Sequence, residues 1–172
     1  IEIFGVPVAG PAGAPSYVVR DCHIHTVGQG RVSDFGGIYL APADLQCWSS
    51  NRTCAMPSQI TNNIVHNVLE LEYGANAIYL DAAASNVTVD SNLCYDTGGP
   101  SVYAHCGSQV EVRGNIMAAS NKQDHRAPVQ GCDESGVGKF LSGRATWSSN
   151  VSVASGDAAI AGATPNTAAW RT

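Results

Sequence analysis

Three short segments of the chain place tyrosine, aspartate and histidine side chains in register. Aligned without gaps, they are Ile38-Tyr39-Leu40, Ile78-Tyr79-Leu80-Asp81 and Val102-Tyr103-Ala104-His105. Because alternate side chains of a β-strand share a face, the aliphatic residues of each segment are expected to point into a core. The opposite, outward face then carries the residues that can do chemistry, namely Tyr39, Tyr79, Tyr103, Asp81 and His105.

These outward residues suit the binding of a sugar. A tyrosine ring offers an apolar face with a polar tip, so a stripe of Tyr39, Tyr79 and Tyr103 can stack on sugar rings. A neighbouring carboxylate favours the protonated form of an imidazole, so His105 can bind a sugar hydroxyl or keep Asp81 ionised. Plainer interpretations stay open, because a tyrosine ladder also stabilises a β-sheet and Asp81 with His105 also fits a surface ion pair.

A column of inward polar residues indicates how such strands are held together. A β-prone triplet, a polar residue and a short apolar run recur along the chain, with the polar residue at Cys22, Asn63, Asn92, Asn115 and Asn150. Uneven spacing of this kind is typical of stacked coils that accept insertions in their loops. Side-chain amides at an inner turn can hydrogen-bond up and down the stack. The repeat predicts an all-β fold, a parallel β-helix of about five coils, with a short-stranded β-sandwich as the alternative.

The same register predicts which side chains fill the core. It assigns to the interior the alternate aliphatic residues of each strand and the aliphatic residue that follows each asparagine of the column. The predicted core residues are Ile38, Leu40, Ile64, Ile78, Leu80, Val87, Val89, Leu93, Val102, Val110, Val112 and Ile116.

Length and charge bound the possible functions. The 172 residues are expected to form one domain, with a turn-rich lead-in over residues 1–15 and an irregular tail over residues 164–172. A formal net charge of -5 argues against nucleic acid or an anionic membrane as a partner. No apolar run reaches the length of a transmembrane helix. The chain opens without Met on a strand-like Ile-Glu-Ile-Phe, so we expect a module of a longer protein.

The cysteine count favours an oxidising compartment. The chain has six cysteines, an even number, and Cys47 and Cys54 flank a short loop that suits a local disulfide. Cys22 and Cys94 are expected to be buried free thiols.

Three glycosylation sequons also favour an oxidising, extracellular compartment. They begin at Asn51, Asn86 and Asn150. Asn51 and Asn86 have loop contexts and are predicted to be glycosylated, whereas Asn150 lies in the inward column. Together with the cysteines, these sequons favour a secreted, extracellular protein.

Three histidines invite a metal-binding interpretation but lack a complete ligand set. His23 and His25 share one face of a predicted strand, and His66 aligns with His25 one coil later. No carboxylate or cysteine in this pattern completes the set that a structural metal requires. We therefore expect no metal site and no cofactor.

Several motifs together resemble those of right-handed parallel β-helix proteins among the carbohydrate-active enzymes. In order, the motifs are Ser33-Asp34-Phe35-Gly36-Gly37-Ile38-Tyr39, Asn63-Ile64-Val65-His66, Tyr73-Gly74, Ala77-Ile78-Tyr79-Leu80-Asp81, Ser85-Asn86, His105-Cys106-Gly107 and Gly114-Asn115-Ile116. They cover about residues 16–120 and are most similar to bacterial β-helical glycoside hydrolases of the fucosidase and xylanase type. The resemblance implies a right-handed coil.

The resemblance also implies a catalytic pair of carboxylates. A carboxylate just before Gly-Gly-Ile-Tyr and another at the end of Ile-Tyr-Leu-Asp correspond to Asp34 and Asp81. Glycoside hydrolysis uses two carboxylates that flank the scissile bond. Asp34 also fits a cap of the Gly36-Gly37 turn, because aspartate side chains bond nearby backbone N–H groups.

Two functions of different classes follow from these patterns. The first is an extracellular, glycoside hydrolase-like domain that binds or cleaves a polysaccharide or glycan in a groove of the outer sheet. The alternative is a non-catalytic structural module of an extracellular glycoprotein assembly, with neighbouring copies or modules as its partners.

Overall fold

Fourteen strands make up the regular structure of the described residues. The computed structural model describes residues 1–4, 17–41, 57–81, 84–105, 109–118 and 145–153. In chain order the strands are β1 (Glu2–Phe4), β2 (Val18–Arg20), β3 (His23–Val27), β4 (Gly36–Ala41), β5 (Ser58–Thr61), β6 (Ile64–Val68), β7 (Asn76–Leu80), β8 (Val87–Asp90), β9 (Leu93–Thr97), β10 (Val102–Ala104), β11 (Val110–Arg113), β12 (Ile116–Ala118), β13 (Ala145–Ser148) and β14 (Val151–Val153). Across these ranges no helix is long and apolar enough to span a membrane.

The strands form three parallel sheets. Sheet A has the order β1-β4-β7-β10, sheet B the order β13-β11-β8-β5-β2, and sheet C the order β14-β12-β9-β6-β3. Consecutive strands enter sheets B, C and A in turn, so that β2, β3 and β4 are followed by β5, β6 and β7. This order is compatible with a parallel β-helix. The sandwich alternative requires antiparallel sheets, whereas the pairings among the described strands are parallel.

The strand register confirms the gapless alignment of the tyrosine segments. In sheet A, Tyr39 is opposite Tyr79, and Tyr79 is opposite Tyr103. Ile38 is likewise opposite Ile78. Neighbouring strands lie about 4.8 Å apart, so equivalent side chains of successive segments stack directly on one another.

The interior between the sheets is aliphatic. The predicted core is confirmed at the alternate positions of sheets A and B, where each side chain is at most 2% exposed. These residues are Ile38, Leu40, Ile78, Leu80, Val87, Val89, Val102, Val110 and Val112. Removing one such side chain from water contributes about 1.5–3 kcal/mol, so these short strands draw much of their stability from this shared core.

The core prediction is wrong for the residue that follows each asparagine of the column. Ile64 is 39% exposed and Ile116 is 47% exposed, and Leu93 is half-buried. The asparagine itself occupies the inward position, so the next side chain points outward and the one after it points inward. A shift of one residue reverses the face of a strand. The core positions of sheet C are accordingly taken by Val65, Cys94 and Met117.

The predicted column of inward polar residues exists as an asparagine ladder made of Asn63, Asn92, Asn115 and Asn150. The backbone N and the Nδ2 of Asn63 donate to Asn92 Oδ1 at 3.0 and 2.9 Å. Asn92 makes the same two bonds to Asn115 Oδ1, both at 2.9 Å. Asn115 repeats them to Asn150 Oδ1, again at 2.9 Å. One carbonyl oxygen therefore serves two donors at every step.

The ladder begins at Cys22, whose backbone N donates to Asn63 Oδ1 at 3.1 Å. Each ladder amide also donates from Nδ2 to a backbone carbonyl, as Asn63 does to Val19 and Asn92 does to Ile60. Buried polar groups are tolerated when they are hydrogen-bonded in this way. Cys22 is half-buried and Cys94 is buried, and both are free thiols.

A left-handed residue precedes each member of this column and turns the chain from sheet B into sheet C. The positions are Asp21, Asn62, Ser91, Gly114 and Ser149, with φ between 54° and 62°. Glycine and short polar residues adopt this conformation at the lowest cost. The recurrence of these residue types before the column explains why the turn is the same at each level.

Candidate functional site

A row of tyrosine rings covers the side of sheet A that faces away from the core. The rings of Tyr39 and Tyr79 meet edge to face, with centroids 4.9 Å apart. The rings of Tyr79 and Tyr103 are 5.1 Å apart and tilted by 33°. Tyr79 is only 5% exposed, while Tyr39 and Tyr103 are half-buried. The outer tyrosines therefore retain accessible surface, and the central one supports them.

Asp81 receives two short hydrogen bonds from neighbouring levels of the sheet. The Tyr39 hydroxyl donates to Asp81 Oδ2 at 2.6 Å, and His105 Nδ1 donates to Asp81 Oδ1 at 2.7 Å. The side chain of Asp81 is 17% exposed. Because charge-assisted bonds of this length favour the carboxylate, Asp81 is held as an ionised group whose two oxygens both have partners.

The backbone explains why these side chains meet. Asp81 follows β7 directly, and its N donates to Leu40 O at 2.9 Å. His105 follows β10, and its N donates to Leu80 O at 2.7 Å. The parallel ladder thus continues one residue beyond the strands and fixes the aspartate and the histidine side by side.

The imidazole of His105 is partly exposed and contacts both the Asp81 carboxylate and the Tyr103 ring. It stacks on Tyr103 with centroids 5.7 Å apart and an angle of 11° between the ring planes. The hydrogen bond to Asp81 raises the pKa of His105 above its ordinary value of 6.5, burial opposes this, and the charges of Asp81 and Asp34 add to it. The imidazole consequently carries its proton to higher pH than a solvated histidine does.

Asp34 approaches the same group of residues from a strained turn before β4. It has a left-handed backbone, with φ of 57°, and its N donates to Tyr73 O at 2.9 Å. A side chain at Gly74 would meet Asp34 N at 2.6 Å, so the close approach of the two turns requires glycine there.

Tyr79 packs between the rings of Tyr39 and Tyr103 and reaches Asp34 with its hydroxyl. Its hydroxyl donates to Asp34 Oδ1 at 3.4 Å, a long bond. Burial raises the pKa of the Tyr79 hydroxyl far above its ordinary value, and the charges of Asp81 and Asp34 and the neighbouring Tyr103 and Tyr39 add to the effect. Tyr79 therefore remains a neutral phenol between two carboxylates at physiological pH.

Five of the six residues expected to form the site lie on the outer side of sheet A or directly after its strands, and the sixth, Asp34, lies in the turn before β4 and is linked to Tyr79 by the long bond. The six are Asp34, Tyr39, Tyr79, Asp81, Tyr103 and His105. Their catalytic and sugar-binding roles stay predictions. The bond from Tyr39 to Asp81 was not anticipated, because the alignment places these residues two positions apart; the length of a tyrosine side chain is the signal that could have found it.

The remaining predicted positions fall outside this face. The disulfide partners Cys47 and Cys54 and the sequon residue Asn51 lie outside the described residues. Asn86 is half-buried in a left-handed turn before β8, where its carbonyl accepts a bond from Ser58 N at 2.8 Å. Its glycosylation stays a prediction.

The arrangement can perform proton transfer and recognise hydroxyl groups. It offers a carboxylate with two short hydrogen bonds, a second carboxylate at the surface, an imidazole with a raised pKa and several phenols. In the described part of the chain, no group of three or more histidine, cysteine, aspartate or glutamate side chains is arranged to hold a metal ion.

Comparison of the chain with protein-family models, curated proteins and solved structures finds no match in any of the three.

Proposed function

We propose that this chain is an extracellular, carbohydrate-active domain with a right-handed parallel β-helix of about five coils. Its outer sheet A face binds a polysaccharide or glycan and cleaves it in the manner of a glycoside hydrolase. The observation that carries this proposal is the Asp81 carboxylate, which accepts short bonds from Tyr39 and His105, beside a tyrosine row whose central member, Tyr79, bonds to Asp34.

The two carboxylates differ in a way that suits different roles. Asp81 accepts two short bonds and stays ionised, which fits a nucleophile or a general base at the anomeric carbon. Asp34 is exposed and accepts a long bond from Tyr79, and we assign it the role of the general acid that donates a proton to the leaving glycosidic oxygen. In this scheme Asp34 protonates the departing sugar while Asp81 attacks, or directs a water molecule to, the opposite face.

The tyrosines supply recognition in this scheme. Tyr39 and Tyr103 keep accessible ring surface on either side of Tyr79, which allows contact with the apolar face of a pyranose. Tyr79 is too deeply buried for such a contact. It holds the spacing of the outer rings and keeps a neutral hydroxyl between the charged groups.

The catalytic part is tested with a panel of fucosides, xylosides and the corresponding polysaccharides. Asp81→Asn and Asp34→Asn are each expected to lower turnover of the cleaved substrate at least about 100-fold, because acid–base groups typically contribute that much. Asp90→Asn is the matched control, since Asp90 is a carboxylate paired with Arg113 on sheet B. Equal turnover by the wild type and both site variants would contradict the proposal. The anomer first released, read by nuclear magnetic resonance, distinguishes attack by Asp81 from activation of water.

The binding part has its own test. Tyr103→Ala is expected to weaken polysaccharide binding, measured by isothermal titration, about two- to tenfold, because stacking on an aromatic ring contributes about 0.5–1.5 kcal/mol. Tyr95→Ala on sheet C is the matched control. Comparable losses in both variants would argue against a site on sheet A.

A structural module is the second candidate, and one observation favours it. The outward side chains of Ile64 and Ile116 remain 39% and 47% exposed, and they belong to one ladder of sheet C with Leu93 and Val151. An exposed aliphatic row is typical of a surface that associates with another protein. In that case neighbouring modules of an extracellular assembly would cover sheet C.

Sedimentation velocity separates the two candidates. Ile116→Lys is expected to abolish self-association if sheet C is an assembly surface, whereas Thr88→Lys on the outer side of sheet B leaves it unchanged. A wild-type protein that sediments as a monomer at all concentrations, and that cleaves a member of the sugar panel, would remove the structural candidate.

A further inference from the structure

A second group of side chains lies on sheet C, away from the tyrosine row. His23 and His25 project from β3, and His66 projects from β6. His25 is opposite His66 in the strand register, yet the closest contact is diagonal. The Nε2 atoms of His23 and His66 are 2.8 Å apart, while the rings of His25 and His66 are stacked with centroids 5.4 Å apart.

A chain of hydrogen bonds sets the tautomer of His66. Asn67 Nδ2 donates to Asp96 Oδ2 at 2.5 Å, and because a carboxylate only accepts, the amide nitrogen of Asn67 must face Asp96. The amide oxygen of Asn67 therefore faces His66 Nδ1, which must carry a proton to donate to it. The lone pair of neutral His66 is then on Nε2, which accepts a hydrogen bond from His23 Nε2. A metal ion held by both Nε2 atoms replaces the proton between them, which is released to solvent.

Backbone geometry maintains this alignment. Asn67 and Asp96 both have left-handed backbones, with φ of 52° and 51°, and they occupy equivalent positions of neighbouring strands. On the other side, Tyr95 stacks on His66 with centroids 4.5 Å apart and ring planes 7° from parallel. The His66 ring is thus held by a carboxylate-anchored amide at one edge and by aromatic faces on both sides.

From this geometry we infer that His23 and His66 form a binding site for one divalent transition-metal ion, with copper or nickel as the fitting class. Two nitrogens 2.8 Å apart, each about 2.05 Å from a metal, subtend an angle of about 86° at the ion. That angle suits adjacent positions of a square-planar or octahedral shell. A tetrahedral zinc shell would need the nitrogens about 3.3 Å apart.

The protein supplies two ligands, and water or an external ligand completes the shell. Among the described residues, no group of three or more histidine, cysteine, aspartate or glutamate side chains is arranged to hold a metal ion. His25 bonds through Nδ1 to Thr26 Oγ1 at 2.8 Å and flanks the site as a stacked ring. The Asn67–Asp96 pair plays the role of the outer shell that orients a metal-ligating histidine.

The test uses the whole chain and copper(II) chloride. Titration followed by electron paramagnetic resonance is expected to show one copper ion per chain with two imidazole nitrogens. His23→Ala and His66→Ala should each weaken copper binding at least about tenfold. His25→Ala is the matched control and should change it less than about threefold.

Two further measurements address the geometry and the outer shell. Asn67→Gly keeps the left-handed backbone accessible and removes the amide, and it should weaken copper binding about tenfold while both ligands remain. Nickel(II) should bind more tightly than zinc(II). Copper binding that is unchanged in both His23→Ala and His66→Ala, or that is lost only in a control variant, would overturn the inference, as would tighter binding of zinc(II) than of nickel(II).

Discussion

Two polar columns run across the levels of this protein, and they are built on opposite principles. The asparagine ladder repeats one residue type, lies buried, and makes the same pair of bonds at each step between Asn63 and Asn150. The column after the strands of sheet A changes at each level, from Ala41 to Asp81 to His105. Its polar members are partly exposed, and His105 is hydrogen-bonded to the Asp81 carboxylate.

The contrast separates what holds the fold from what can do chemistry. Identical amides satisfy one another, so the ladder has no unbalanced charge and no group reserved for a ligand. An aspartate beside a histidine instead leaves a strongly polarised pair with a solvent-facing edge. Within these two columns, repetition of asparagine therefore goes with the scaffold, and the change from Ala41 to Asp81 to His105 goes with the candidate site.

The largest effect is expected in the ladder. Asn92→Ala removes Oδ1, which accepts from Asn63 N and Nδ2, and the donors to Ile60 O and Asn115 Oδ1. Each buried group left without a partner costs about 1–3 kcal/mol, so the loss of unfolding free energy should be about 3 kcal/mol or more. Urea denaturation measures it. Asn62→Gly, at the exposed neighbouring position, is the control and should cost less than about 1 kcal/mol.

The column of Ala41, Asp81 and His105 on sheet A should contribute less to stability than the asparagine ladder. Asp81→Ala removes the acceptor of Tyr39 and His105, but water can replace it because His105 is 39% exposed. We expect a loss of about 1–2 kcal/mol in the same denaturation experiment. If Asp81→Ala lowered the unfolding free energy as much as Asn92→Ala does, the column on sheet A would be as important for stability as the ladder, and the proposed contrast would be wrong.

The contribution of His105 to the unfolding free energy should depend on pH. The pKa of His105 is raised in the folded protein, chiefly by its bond to Asp81. The stabilisation is therefore fully present below pH 6.5, the ordinary value, and is lost as the pH rises through the folded pKa. The difference in unfolding free energy between wild type and His105→Gln should shrink as the pH increases. In an Asp81→Asn background the same substitution should show no such trend, and a persisting trend would assign it to another group.

The smallest effect is expected at the centre of the tyrosine row. Tyr79→Phe removes a hydroxyl whose bond to Asp34 is 3.4 Å long, so unfolding free energy should change by less than about 0.5 kcal/mol. Tyr39→Phe removes a 2.6 Å bond to an ionised carboxylate and should cost about 1–2 kcal/mol. Thermal denaturation of the two variants compares them directly, and the reverse order would contradict the assignment of Tyr39 as the principal partner of Asp81.

The sequence was sufficient to predict the sheet A register and the ladder, because both depend on exact repetition. Tyr39, Tyr79 and Tyr103 align without gaps, and a parallel ladder converts that alignment into contacts. The faces of sheet C were predicted wrongly, since the turn through the asparagine uses one inward position and shifts Ile64 and Ile116 outward.

Contacts between residues that are not opposite each other in neighbouring strands could not be predicted from the alignment of the repeats. The bonds from Tyr39 to Asp81 and from His23 to His66 join residues two positions out of register. They depend on side-chain length and on ring orientation, which local backbone geometry sets. At His66 that geometry comes from the left-handed Asn67, a feature that the residue type permits but does not impose.

The ladder joins residues separated by 41, 29, 23 and 35 positions along the chain. The distances at these four junctions nevertheless stay between 2.9 and 3.1 Å. The hydrogen-bond distance between two levels thus does not depend on the number of residues that separate them in the sequence. The number of residues between two levels can therefore change while the ladder stays intact, so the surface beside the ladder can vary without loss of the stacked fold.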